Sequence, residues 1–188
     1  MKKEFRKKVI HTRNSKSSDF ISKNSAIITD KLLKMDCINN ANTIMLYLDF
    51  NNEVKTYNLI KKLLSLKKIV AAPITQLEEK KLIPSQIIDL ENDVKIGAYG
   101  IREPKQEYST PVDIKTLDIV IVPAVAYDSN CYRLGYGGGF YDRFLENLRN
   151  DSITIGIAFD FQIFDDIPKE PHDVKLDYVI TESRIITP

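Results

Sequence analysis

The hydrophobic pattern first changes period near residue 40, and the alternation that follows predicts the architecture. Residues 1–36 contain no Gly or Pro. Within them Phe5, Val9, Phe20, Ile27, Ile28, Leu32 and Leu33 recur at helical spacings, with a break near Asn14–Ser18. TIMLYL (43–48) and KIVAAPI (68–74) are then short apolar runs of strand length. Between them VKTYNLIKKLL (54–64) places Val54, Leu59, Leu63 and Leu64 as a helix lying on a sheet would. Strand, helix, strand in that order demands a right-handed crossover and usually gives a parallel sheet.

The later chain continues the alternation. DIVIVPAVAYD (118–128) is almost wholly apolar, the signature of one strand covered on both faces. FYDRFLENLR (140–149) gathers Phe140, Tyr141, Phe144, Leu145 and Leu148 on one helix face. TIGIAF (154–159) and LDYVIT (176–181) are two further strands. Residues 77–117 are mixed and carry Pro84, Gly97, Gly100, Pro104 and Pro111, which predicts loops with short strands. The expected fold class is α/β with a mostly parallel central sheet, and 188 residues suit one domain spanning 1–188.

Composition narrows function mainly by exclusion. A net charge of +1 gives no global reason to expect nucleic acid or a membrane surface as partner, so any anion site must be local. The basic N-terminus lacks the apolar run of a signal peptide, and no segment is long and apolar enough to span a bilayer. Cys37 and Cys131 are too few for a disulfide framework, which fits a cytoplasmic location. His11 and His172 form no metal-ligand spacing with each other or with the cysteines.

The local site is RLGYGGGFYDR (133–143), which places four of the seven glycines at 135, 137, 138 and 139. Glycines after a buried strand let backbone N–H groups approach phosphate oxygens, and the start of the next helix favours negative charge. Arg133 and Arg143 would complete the cradle. The spacing matches neither a Walker loop nor a dinucleotide-binding loop. Asp142, in the first helical turn beside the loop, suits the helix dipole or a Mg²⁺ held between carboxylate and phosphates. Asp173 in PHDVKLD is a second carboxylate of that kind, or simply a loop acid. Lys2, Lys3 and Arg6 form a solvated helix face or, with Lys2 and Arg6 at i, i+4, a pair aimed at a phosphate. Glu53, just beyond a strand at the C-terminal mouth of the sheet, lies where such folds bind ligands, or begins the next helix.

RLGYGGGFYDRFL resembles the signature of the 5-formyltetrahydrofolate cyclo-ligase family. KKEFRK, YLDFNNEVKT, and GIREP followed by HDVKLDYVIT match in the same order, so the resemblance spans nearly the whole chain. One departure is Phe140, where the family often has Tyr. The resemblance implies a three-layer α/β/α domain and an ATP- and Mg²⁺-dependent cyclisation of 5-formyltetrahydrofolate to the 5,10-methenyl compound. It implies that the formyl oxygen is phosphorylated, N10 attacks, and ADP and phosphate are released. By resemblance Lys2, Lys3, Arg6, Arg133, Leu134, Gly135, Tyr136, Gly137, Gly138, Gly139, Phe140 and Tyr141 contact ATP. Leu48, Glu53 and Tyr136 to Phe140 contact the folate, Asp142 and Asp173 hold Mg²⁺, and Arg133, Tyr141 and Asp142 serve catalysis. A monomer or weak dimer acting on small molecules is expected. Two other readings stay open on residues alone: a sugar-phosphate or coenzyme A enzyme on a related sheet, and a non-catalytic folate- or nucleotide-binding protein.

Overall fold

The computed structural model describes residues 2–105, 107, 110–170 and 173–188. Helix α1 (Lys2–Asn14) and helix α2 (Ser18–Leu33) are separated at the expected break, where the Ser17 hydroxyl accepts the Phe20 N–H at 3.1 Å and caps α2. A short helix α3 (Asp36–Asn40) leads into strand β1 (Thr43–Leu46), followed by helix α4 (Tyr57–Ser65) and strand β2 (Ile69–Gln76). Strands β1 and β2 pair in parallel, with Thr43 opposite Ile69, as the strand-helix-strand pattern predicts.

Strand β3 (Lys81–Ile87) returns antiparallel to β2, and strands β4 (Val94–Ile96) and β5 (Arg102–Pro104) form a separate hairpin. The region read as loops with short strands thus contains a seven-residue strand. Its prolines are compatible with that because β3 lies at a sheet edge, where a missing N–H costs no ladder bond. Pro84 faces Pro73 of β2, and the passing segment 110–112 covers the outer side: the Gln86 N–H donates to the Thr110 carbonyl and the Val112 N–H to that of Pro84.

The run 118–128 is two strands, not one. Strand β6 (Ile119–Val122) joins the large sheet, while strand β7 (Ala126–Asp128) joins a smaller one with strands β8 (Arg133–Leu134) and β10 (Ile163–Phe164). Pro123 explains the division: it cannot donate to a ladder and its fixed φ turns the chain away. Helix α5 (Phe140–Leu145) is likewise shorter than the apolar face suggested. Beyond it the Asn147 side chain donates to the Arg143 carbonyl at 2.7 Å, and the backbone tightens into turns.

Strands β9 (Ile153–Ile157), β11 (Tyr178–Ile180) and β12 (Ile185–Ile186) complete the seven-stranded sheet in the order β12-β11-β9-β6-β1-β2-β3. All neighbours are parallel except at the two edges, where β12 and β3 run antiparallel to their partners. Alternation sorts the core. Ile44, Leu46, Val70, Ile119 and Ile121 pack with α2, α3 and α4, whereas Met45, Ala71, Val120, Val122 and Val179 pack with Phe144 and Leu145 of α5. Gly156 in β9 makes room for the Tyr127 ring, which would lie 2.4 Å from any Cβ placed there. Helix α1 rests on the small sheet, Val9 packing with Val125, Ala126 and Leu134, and Phe5 meeting Phe164 edge-on at 4.8 Å. No helix among the described residues is long and apolar enough to cross a membrane.

Candidate active site

The chain proceeds from β1 to β2 on one side of the sheet and from β6 through β9 to β11 on the other, so the strand order reverses between β1 and β6. Ligands of open α/β sheets bind at the carboxyl ends of strands at that point. A cleft of about 770 Å³ opens there, lined by Tyr47 and Leu48 after β1, by Pro123 after β6, and by the glycine loop.

The glycine loop forms one end. Gly137 and Gly139 hold φ of 103° and 66°, values that side-chain-bearing residues seldom adopt, so this path needs glycine. A Cβ at Gly135 would meet nothing within 4 Å, leaving that position open. Arg6 donates from Nε to the Gly135 carbonyl at 2.7 Å, tying α1 to the loop. Arg133 is buried; its Nη1 donates to the Val174 carbonyl at 3.0 Å and its Nη2 to Asp142 Oδ1 at 2.5 Å. Lys2 reaches Asp173 Oδ2 at 3.1 Å and Glu170 Oε1 at 3.3 Å. Lys2, Arg6, Arg133, Asp142 and Asp173, distant in sequence, therefore share this end with residues 134 to 141. Two expected members stand aside. Lys3 lies exposed on α1 and does not line the cleft, and Arg143 instead donates to the carbonyls of Gly138 and Lys80 from outside.

The other end is buried and nearly charge-balanced. Glu53 is set by a tight turn in which Asn51 and Asn52 hold φ of 46° and 59°, and the Glu53 N–H donates to the Phe50 carbonyl at 3.1 Å. Asparagine tolerates that conformation better than most residues, which makes FNNE a turn signal. Asp49 pins the turn's exit by accepting from the Thr56 N–H at 3.0 Å. Glu53 Oε2 accepts from the Phe50 N–H at 3.0 Å, and Oε1 accepts from the Tyr136 hydroxyl. Burial pushes the Glu53 carboxyl above the ordinary range, and the charge of Arg13 opposes the shift. Arg13 itself is 1% exposed, its Nη1 3.9 Å from Glu53 Oε1.

Tyr141 lies between the ends, its hydroxyl buried and without a partner. Burial and the charge of Glu53 push this phenol upward, so it is a neutral O–H donor at physiological pH. The same causes hold Tyr136 protonated.

Arg13, Tyr47, Arg102, Glu103 and Glu170 also line the cleft, beyond the residues expected from the sequence. A signal for Arg13 was present. Lys2, Arg6, Ile10 and Arg13 follow the i, i+4, i+8, i+11 spacing of one helix face, and all four line the cleft. Nothing comparable marks Glu103, whose side chain reaches the site through the β4–β5 hairpin. His172 lies outside the described residues.

Among the described residues no group of three or more His, Cys, Asp or Glu could hold a metal ion. Two partly exposed carboxylates, Asp142 and Asp173, do lie in the cleft at the glycine-loop end, each ion-paired with a cation, Arg133 and Lys2 respectively. Mg²⁺ is commonly held by one or two carboxylates with waters and substrate phosphates completing its shell.

Comparison with known proteins agrees with this fold. A profile of the 5-formyltetrahydrofolate cyclo-ligase family matches residues 1–182. The 5-formyltetrahydrofolate cyclo-ligase of Haemophilus influenzae is 36% identical over 137 residues, covering 72% of this chain and 73% of that protein. That of Escherichia coli K12 is 32% identical over 146 residues, covering 77% and 80%. The solved 5,10-methenyltetrahydrofolate synthetase of Aquifex aeolicus superposes with a TM-score of 0.86 at 28% identity, over 99% of this chain and 92% of that one. The synthetase of Mycoplasma pneumoniae gives 0.78 at 26% identity, over 96% and 98%. The chain belongs to the 5-formyltetrahydrofolate cyclo-ligase family, a family of ligases.

Proposed function

We propose that this chain is one catalytic domain that uses ATP and Mg²⁺ to cyclise 5-formyltetrahydrofolate to 5,10-methenyltetrahydrofolate, releasing ADP and phosphate. One observation carries the reading: a single cleft joins the glycine loop to buried Glu53, and Tyr136 belongs to both, a loop residue whose hydroxyl is bonded to that carboxylate. Triphosphate and pterin would therefore lie in one continuous space.

The formyl oxygen attacks the γ-phosphorus and the bond to the β-phosphate oxygen breaks, releasing ADP. N10 then attacks the activated formyl carbon, N10 loses its proton, and phosphate departs with the former formyl oxygen. Such chemistry asks the protein for positioning and charge neutralisation, not for a covalent nucleophile. Lys2, Arg6 and Arg133 neutralise the phosphates, and the loop's N–H groups supply donors that no Cβ obstructs. Helix α5 has six residues, so the loop does more here than any helix field. Asp142 and Asp173 would hold Mg²⁺, which when bound supplies further neutralisation of phosphate charge. Glu53 accepts from the amino and N3–H edge of the pterin, while Leu48 and Phe140 form apolar walls. The unpartnered Tyr141 hydroxyl is the donor available to the oxygen that acquires charge.

The test is the absorbance of the methenyl product. It should appear with 5-formyltetrahydrofolate, ATP and Mg²⁺ together, and omission of any one should abolish it. Product formation without ATP would overturn the reading.

A further inference from the structure

We propose that Arg13 is a positioning residue for folate binding, holding Glu53 ionised as the acceptor at the floor of the cleft. This rests on the reading of Glu53 as the folate carboxylate. Nη1 of Arg13 stands 3.9 Å from Glu53 Oε1, a separation at which charge acts without a direct hydrogen bond. The guanidinium is buried, its Cζ 5.8 Å from the centre of the Tyr136 ring, yet Nε and Nη2 make no hydrogen bond. Buried donors are nearly always satisfied, and placing an incomplete guanidinium in a core works against stability. Such exceptions belong at functional sites. Here the function is the field at Glu53.

Glu53 needs that field. Tyr136 from the glycine loop, Tyr141 from α5, Tyr127 from β7 and Tyr47 beyond β1 lie near enough to feel its charge; of these Tyr136 donates to the carboxylate and favours its ionised form, whereas Asp49 adds a second negative charge. Burial and Asp49 both favour the protonated acid, and Arg13 is the largest opposing influence. A protonated Glu53 would present a donor where the pyrimidinone edge of the pterin also presents donors. Without Arg13, ionisation of Glu53 moves to higher pH, so folate binding should be lost from the acid side and recover as pH rises.

The experiment measures KM for 5-formyltetrahydrofolate and for ATP against pH in wild type, Arg13→Met, Arg13→Lys and Glu53→Gln. Arg13→Met is expected to raise the folate KM roughly tenfold at neutral pH and to shift its profile alkaline by about one unit, while the ATP KM holds. Arg13→Lys should restore most of both, and Glu53→Gln should abolish the pH dependence. If the Met variant does not fold, Arg13→Gln, also uncharged, must show the same shift. A folded uncharged variant with the wild-type profile, or a Lys variant no better than it, overturns the proposal. If Glu53→Gln leaves the folate KM unchanged, the reading of Glu53 fails instead. The ¹³C titration of the Glu53 carboxyl in ligand-free protein then tests Arg13 alone: a resonance titrating identically with and without the charge at residue 13 overturns it.

Discussion

The two ends of the cleft reach specificity by opposite means. At the glycine loop, a contiguous run of backbone donors is joined by cations from elsewhere, partly exposed Lys2 and Arg6 of α1 and buried Arg133, each paired already with a carbonyl or carboxylate: Arg6 with Gly135, Lys2 with Asp173, Arg133 with Asp142. At Glu53, few groups brought from separate segments are buried, and at least two guanidinium nitrogens are unpaired. Exposed charges are screened and individually weak, so the phosphate end must work by number and by backbone shape. Buried groups feel a low dielectric, so the folate end works by the state of single atoms. A polyphosphate arriving with its own charge suits the first design, and a neutral heterocycle with a fixed donor edge suits the second.

The largest separation of the two ends is expected from Gly138→Val. A Cβ at 138 would lie 2.6 Å from the Phe140 ring, so the branched side chain both displaces the loop and blocks the phosphate approach. ATP binding should weaken by about 3 kcal/mol, read by calorimetry, with a smaller loss for folate. Equal losses for both ligands would show that the ends are not separable. Glu53→Gln should do the reverse, costing about 2 kcal/mol in kcat/KM for folate while the ATP KM holds. A parallel rise in both KM values would make Glu53 a structural residue.

A smaller effect, about 1–2 kcal/mol each, is expected for Asp142→Asn and Asp173→Asn in kcat at ordinary Mg²⁺, with partial rescue by excess Mg²⁺. The double variant should lose less than the sum, because the pair shares one ion; additive losses without metal rescue would place the aspartates apart. The subtlest test is Tyr136→Phe, which deletes the hydroxyl capping Glu53 where the pterin should bind. Folate should bind tighter by about 0.5–1.5 kcal/mol, since the ligand no longer displaces a hydrogen bond. Weaker binding would mean that the hydroxyl cooperates with the pterin instead of standing in for it.

The legibility of the molecule follows the same division. The parallel sheet could be read because its strands are apolar runs separated by helical periods, and the glycine loop because its residues are adjacent in sequence. What escaped depends on neighbours in space. Pro123 was visible, but that β6 and β7 serve different sheets depends on pairing with β8 and β10. Asn147 competes with the end of α5 through one side-chain bond, a contest that apolar periodicity does not register. At the site, Lys2 and Arg6 read as a pair from their spacing, whereas Arg13 at the end of the same stripe does not stand out. Arginine at the end of a basic helix ordinarily looks solvated, but Arg13 is buried among residues far along the chain, Glu53 and Tyr136 among them.

The edges of the large sheet bear on how the protein behaves at the high concentrations of a cell or a test tube. An unpaired parallel strand would offer another molecule a ready ladder, the usual beginning of edge-to-edge aggregation. Here one edge ends in β12, only two residues long, and the other in β3, where Pro84 removes a donor and segment 110–112 occupies the outer side. The five parallel strands between these edges are thereby closed to further strand addition.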